Sequence, residues 1–213
     1  MTTTIILLLI LTLLLGAVGS VMVQTLITGT PPMPTSPVVL PTVITAVRRS
    51  LPESPPEPPQ SRRRAVVLDA GCGWGTLVMA LAATIPEIEA RGVERSLVPC
   101  LYAKVRSALF GLAAPLVGAG EPRRGRGRWS ARGHLGSRPR ISVRCGDLFR
   151  EPMEDVDVLI TYLSTGHMKR LKQIEDRLPP VLVSVAFALP GATPAVTYQV
   201  DDPFRTPVYV YRL

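Results

Sequence analysis

The stretch Val66-Val67-Leu68-Asp69-Ala70-Gly71-Cys72-Gly73-Trp74-Gly75-Thr76 constrains this chain more than any other. A short β-branched apolar run passes into three alternate glycines, then into Leu77-Val78-Met79-Ala80-Leu81, which has helical composition and stops before Pro86. Strand, glycine turn and helix form the opening unit of a parallel sheet, and such sheets bind ligands outside the carboxyl ends of their strands. Glycine is needed where the backbone turns tightly and touches a ligand. Two phosphate-bearing ligand classes fit poorly. A GxGxxG fingerprint from Gly71 requires glycine at 76, which is threonine, and a phosphate loop requires a Gly-Lys-Ser/Thr run that this stretch lacks. What remains is one acid ahead of the glycines, Asp69, and a second, Glu94, closing the next predicted strand. Two carboxylates without a basic clamp suit a cationic nucleoside. Asp69 would face its positive end, and Glu94 would accept hydrogen bonds from a ribose diol.

From Ala65 onward, β-branched runs alternate with longer amphipathic stretches, which predicts an α/β domain with a largely parallel sheet. Strands are expected at Ala65–Ala70, Glu89–Glu94, Ile141–Cys145, Val156–Tyr162 and Val181–Ala188. A terminal hairpin is expected at Ala195–Val200 and Pro207–Tyr211. Helices are expected at Thr76–Thr84, at Leu97–Phe110 capped by Ser96, and at Gly166–Leu178. Seven strands in residues 65–213 make one domain, with no internal repeat.

The first part of the chain is different in kind. No Asp, Glu, Lys or Arg precedes Arg48, and Ile5–Ile27 is apolar with only small or weakly polar interruptions. At about 1.5 Å per residue this run reaches roughly 34 Å, enough for a bilayer core near 30 Å. A secretory signal is the competing reading, but the start Met1-Thr2-Thr3-Thr4 carries no base and Ala17-Val18-Gly19-Ser20 is a poor cleavage site. Residues 1–28 are therefore expected to be a retained transmembrane helix contacting the bilayer through residues 5–27. Arg48, Arg49, Arg62, Arg63 and Arg64 follow it, which by the positive-inside rule puts the α/β domain of a single-pass protein on the cytoplasmic side. Prolines crowd residues 29–64, so this is read as an extended linker. Within it, Thr42–Leu51 is the one stretch with the pattern of a short helix that docks on the domain.

Three cysteines without CxxC spacing predict free thiols in a reducing compartment, with Cys100 and Cys145 as buried apolar residues and Cys72 as a small filler. No metal site is expected. Residues 118–140 hold seven arginines against the single acid Glu121, with Gly and Ser throughout, and are read as a flexible insertion. Anionic lipid, RNA and plain solvation compete to explain it; a tether favours lipid over nucleic acid. All but three of the 24 basic residues are arginine, which suits a compositional origin equally well.

The glycine loop, with Glu94 and Asp147 following the second and third predicted strands, resembles the class I S-adenosylmethionine-dependent methyltransferases. The resemblance implies a seven-stranded Rossmann-like sheet with a terminal β-hairpin and the cofactor S-adenosyl-L-methionine. By it, Asp69, Gly71, Cys72, Gly73 and Gly75 hold the methionine moiety, Glu94 the ribose and Asp147 the adenine amine. A closer resemblance spans nearly the whole chain: the uncharged N-terminal helix, Val-Val-Leu-Pro-Thr, Gly-Val-Glu-Arg-Ser-Leu-Val-Pro, Asp147-Leu148-Phe149, the strand from Asp157 to Tyr162, and Val-Tyr-Val-Tyr-Arg212-Leu. These are similar to the membrane-anchored protein-lysine methyltransferases related to those that modify the ATP synthase c-subunit and the adenine nucleotide translocase. Those carry Gly-Ser-Gly-Asp-Gly where this chain has Gly-Cys-Gly-Trp-Gly. A lysine acceptor must lose its proton before it attacks, so an orienting or accepting group is needed. Tyr162 and His167 are the candidates, each weighed against a structural role. A lipid, quinone or RNA acceptor, or a noncatalytic anchored nucleoside-binding scaffold, stands as the alternative.

Overall fold

The computed structural model describes residues 2–28, 35–51, 63–113 and 140–213. Its helices are α1 (Thr2–Thr28), α2 (Leu40–Ser50), α3 (Thr76–Thr84), α4 (Leu97–Ala113) and α5 (Thr165–Lys172). Its strands are β1 (Ala65–Ala70), β2 (Ile88–Glu94), β3 (Arg140–Cys145), β4 (Val158–Thr161), β5 (Val181–Val185), β6 (Val196–Gln199) and β7 (Pro207–Arg212). They form one sheet in the order β3-β2-β1-β4-β5-β7-β6. β1 to β5 pair in parallel, and β7 runs antiparallel to both β5 and β6. The α/β class and the terminal hairpin are as the sequence predicts. Linker residues 29–34 and 52–62, and all of the Arg-rich insertion except Arg140, lie outside the described residues.

Strand alternation divides the core between the two faces of the sheet. Val67, Val158, Ile160, Val183 and Val208 point to one face, where they meet Leu77 and Leu81 of α3, Cys100 and Ala103 of α4, and Val43, Ala46 and Val47 of α2. Leu68, Leu159, Leu182 and Tyr211 point to the other, against Met168 and Leu171 of α5. The docking helix is therefore part of the folded unit. Arg48 fastens it by donating to the Thr84 carbonyl, at 2.8 Å, where α3 ends.

Several elements stop earlier than their composition suggests. β4 begins at Val158 because Asp157 is committed elsewhere: its carboxylate accepts from the Val66 N–H and the Arg63 guanidinium, each at 2.7 Å. β5 ends at Val185 because Ala186 adopts φ +66°, and the Ser184 hydroxyl donates to the Phe187 carbonyl. α5 ends at Lys172, and only a single 3-10 turn at Glu175–Arg177 continues it. Ser96 begins α4 through its carbonyl, which accepts from the Cys100 N–H at 3.0 Å. Among the described residues its hydroxyl makes no capping bond.

The expectation of free thiols is corrected for two of the three cysteines. Cys100 and Cys145 form a disulfide with Cα atoms 5.6 Å apart, and Cys145 lies on an exposed position. Register explains the pairing. Glu94 stands opposite Cys145, and α4 starts three residues after Glu94, so its first turn packs beside the end of β3. The two residues are 45 apart in sequence, so spacing gave no sign of the bond.

α1 contains one span, Thr3–Val23, long and apolar enough to cross a membrane, with mean hydropathy 2.8 and none of it buried. Among the described elements it meets α4.

Candidate functional site

The carboxyl end of β1 turns back on β2 rather than running out into solvent. The Gly71 and Cys72 N–H groups both donate to the Val93 carbonyl, at 2.8 and 3.0 Å, and the Gly75 N–H donates to the Cys72 carbonyl at 2.8 Å. Gly71, Gly73 and Gly75 have φ +77°, +52° and +77°, the left-handed region that other residues adopt at a cost of about 1 kcal/mol or more. Space is short as well. A Cβ on Gly75 would lie 3.1 Å from that of Ala103, and one on Gly71 would lie 3.1 Å from Leu163.

Two carboxylates sit behind this turn. Glu94 is 7% exposed, and each of its oxygens has one backbone donor: one accepts from the Gly73 N–H at 2.8 Å, the other from the Ser96 N–H at 2.7 Å. It thereby pins the glycine loop to the start of α4. Asp69 is 4% exposed, and among the described residues its carboxylate accepts no hydrogen bond. Burial, and secondly the Glu94 charge, push its pKa up to about 7. A buried carboxylate without a donor is rare in a folded protein and points to a donor supplied from outside.

Cys72 lies beneath this pair. Its Sγ would be 2.8 Å from a Cβ on Gly92, and burial, with Asp69 and Glu94 nearby, pushes its thiol far above the ordinary range. It stays protonated and fills space. At the next strand end, the Gly146 N–H donates to the Glu94 carbonyl at 2.9 Å, and the half-buried Asp147 accepts from the Phe149 N–H at 3.1 Å. Asp69, Glu94 and Asp147 thus line the carboxyl ends of three adjacent strands.

Tyr162 and His167 belong to the neighbouring strand end. Tyr162 follows β4 and is exposed; His167 lies in the first turn of α5, with Nδ1 2.8 Å from the Ser164 hydroxyl. Its ring stacks on Phe149, and the Arg170 guanidinium lies 3.9 Å over the centre of that same ring. Burial, then Arg170 and Arg95, lower the His167 pKa, with Asp147 opposing. Phe149 and Arg170 were not among the candidates read from the sequence. Arg170, three residues after His167 on one helix, was within reach of helical spacing, but Phe149 comes from a different segment. Trp74 meets Tyr102 edge to face at 5.5 Å, so the loop and α4 share an aromatic contact.

The fold that carries these residues has a counterpart among solved structures. The chain is similar to the crystal structure of an RNA methyltransferase from Salinibacter ruber in complex with S-adenosyl-L-homocysteine, with TM-score 0.58 at 20% identity over 84% of this chain and 93% of that one. The fold is that of the class I methyltransferases. Two S-adenosylmethionine-dependent methyltransferases bound to S-adenosyl-L-homocysteine, from Thiobacillus denitrificans and Geobacter sulfurreducens, also resemble it, each with TM-score 0.45 at 18% identity. These likenesses cover 75% and 72% of this chain and 53% and 49% of theirs. No protein-family model and no curated protein matches the sequence. Within the class I methyltransferase fold, the turn after β1 and the ends of β2 and β3 form the face on which Asp69, Glu94 and Asp147 stand.

Proposed function

We propose that this chain is an S-adenosylmethionine-dependent methyltransferase, anchored by α1, that methylates lysine in a membrane or membrane-associated protein. The observation that carries the cofactor assignment is Asp69: a buried carboxylate that accepts no hydrogen bond among the described residues, beside a turn whose three glycines have positive φ. An ammonium or sulfonium compound supplies the missing charge, whereas a phosphate would add a third negative group to Asp69 and Glu94. Asp69 and the Gly71, Cys72, Gly73 and Gly75 backbone would hold the methionine moiety, Glu94 the ribose and Asp147 the adenine. When bound, the cofactor offers an electrophilic methyl on a positively charged sulfur.

The chain's own groups then have two tasks. Tyr162 orients the incoming amine through its hydroxyl or its ring face, which suits a cation. His167, neutral at neutral pH because its pKa is lowered, accepts the ammonium proton at Nε2 while Nδ1–H donates to Ser164. Positioning does the rest, since in-line transfer between held groups gains most from orientation.

The tether supports a membrane-associated target by raising the local concentration of enzyme near it. We divide the chain into the anchor at residues 1–28, a linker at 29–64 and a methyltransferase domain at 65–213 with α2 packed onto it. The domain is assigned to the cytoplasmic side, which the arginines after α1 support and where S-adenosylmethionine is made from ATP. In that compartment the Cys100–Cys145 bond is reducible.

Full-length protein in detergent, titrated with S-adenosylmethionine and then assayed with radiolabelled cofactor on membrane proteins, lipid extracts and RNA, tests the assignment. Methyl-lysine in protein hydrolysates is expected. Label confined to lipid or RNA ends the lysine reading, and binding without any product favours the scaffold.

A further inference from the structure

α4 is apolar on both sides, although only one side is covered. Its sheet-facing residues Cys100, Ala103 and Ser107 are buried, as a helix flanking a sheet requires. Its opposite face carries Leu97, Leu101, Val105 and Leu109, each 50–61% exposed and spaced four residues apart in a single stripe. A helix that is apolar all round is ordinarily covered all round. The stripe runs about 18 Å at 1.5 Å per residue.

Three further observations say what covers it. At about 100° per residue, Lys104 and Arg106 fall on the two opposite margins of the stripe, and α4 contains no acid. Among the described residues neither base has an acidic partner. An apolar stripe bordered by bases is the pattern of a helix lying in the plane of a membrane interface, where long basic side chains reach anionic headgroups. Second, α4 is an element that α1 meets, and the half-buried positions of α1, at Ala17, Gly19, Val21 and Thr25, lie in its C-terminal half. α4 therefore stands against the anchor itself, so a bilayer that α1 spans comes within reach of its outward face. Third, the stripe is still exposed with α1 in place, so the anchor of the same chain does not cover it.

We propose that the outward face of α4 lies in the headgroup–acyl boundary of an anionic phospholipid bilayer, fixing the domain against the membrane. This inference rests on α1 being a retained anchor. Its consequence concerns the substrate. Glu94 and Ser96 immediately precede α4, and Trp74 of the glycine loop touches Tyr102 on it. A domain lying on α4 presents its cofactor face next to the bilayer surface, so the acceptor amine must lie within reach of the headgroups rather than far out in the aqueous phase.

The test uses the full chain in nanodiscs of phosphatidylcholine and phosphatidylglycerol doped with a phospholipid carrying a diazirine near its glycerol backbone. After illumination, lipid adducts are mapped by peptide mass spectrometry. Adducts are expected on α1 and on residues 97–109. In the Leu101→Glu/Val105→Glu variant, α4 adducts should fall about tenfold, the scale of losing buried aliphatic area, while α1 adducts stay unchanged. Both substituted positions are exposed, and an unchanged thermal transition verifies that the variant folds. Adducts on α1 without any on 97–109 overturn the proposal while leaving the anchor intact. Absence from both overturns the anchor and the proposal together. Chemical cross-links joining α4 of two copies, with no lipid adducts there, show that a second chain occupies the face instead.

Discussion

Replacing Asp69 with Asn should stabilise the protein and disable it at once. In the folded chain the Asp69 pKa is pushed from 3.8 up to about 7, chiefly by burial and then by Glu94. A carboxylate with a raised pKa binds its proton more tightly in the folded state, so between about pH 4 and 7 the native state holds more protons than the unfolded one and stability falls as pH rises. The penalty is absent below the unfolded value, roughly 2 kcal/mol at pH 5, and roughly 4 kcal/mol at pH 8, on the scale of 1.4 kcal/mol per pKa unit. Asn has the same shape and no charge, so it removes this penalty but leaves an amide that wants partners, at a cost of about 1–3 kcal/mol. A net gain of about 1–3 kcal/mol at pH 8 is therefore expected, shrinking towards zero or below at pH 5. Denaturant unfolding of the full chain in detergent at the two pH values measures it. Titration with S-adenosylmethionine should show affinity reduced by a factor of ten or more, because a charge-assisted hydrogen bond to the ligand is gone. The reasoning is refuted if the variant is less stable than the parent at pH 8, if its gain does not grow from pH 5 to pH 8, or if it binds cofactor equally well.

The other predictions are more local. Glu94→Gln keeps one acceptor but turns the other oxygen into a donor facing the Gly73 or Ser96 N–H, so cofactor affinity should drop by about 1–3 kcal/mol; unchanged affinity by calorimetry would remove Glu94 from the site. Reduction of Cys100–Cys145, or Cys100→Ser with Cys145→Ser, should lower unfolding stability by up to about 4 kcal/mol, the chain-entropy value for a 45-residue loop; equal unfolding midpoints with and without reductant would contradict it. His167→Gln should slow methyl transfer about 100-fold and abolish the acidic limb of the pH–rate profile, which in the parent falls as His167 gains its proton below its lowered pKa; a variant retaining that limb excludes His167 as the acceptor.

Legibility in the sequence followed the reach of the interactions. β1 and α3 were readable to the residue, because apolar periodicity, the glycine run and Pro86 act within a few positions of one another. β4, β5 and α5 came out shorter than their composition suggests. Their ends are fixed by partners distant in sequence: Asp157 holding Arg63 and the Val66 N–H, and a tight bend at Ala186 next to the incoming β7. The same distinction governs the cysteines. Their pairing depends on register between β2 and β3, which no local pattern encodes.

The site divides along the same line, which explains what Asp69 does. Identity and order of the acids were visible in sequence, but their inequality was not. Glu94 takes two backbone donors and becomes part of the turn, whereas Asp69, of the same chemistry and one strand away, takes none. Stability alone would favour an uncharged group over a dry carboxylate that ionises near pH 7 at this place. Its presence is intelligible if the missing donor arrives with a ligand: the penalty carried by the free protein at neutral pH is then the part of the binding free energy that the ligand's positive charge recovers. By this argument cofactor affinity should weaken as pH falls below about 7, since protonation relieves in the free protein the same deficit that the ligand would otherwise relieve.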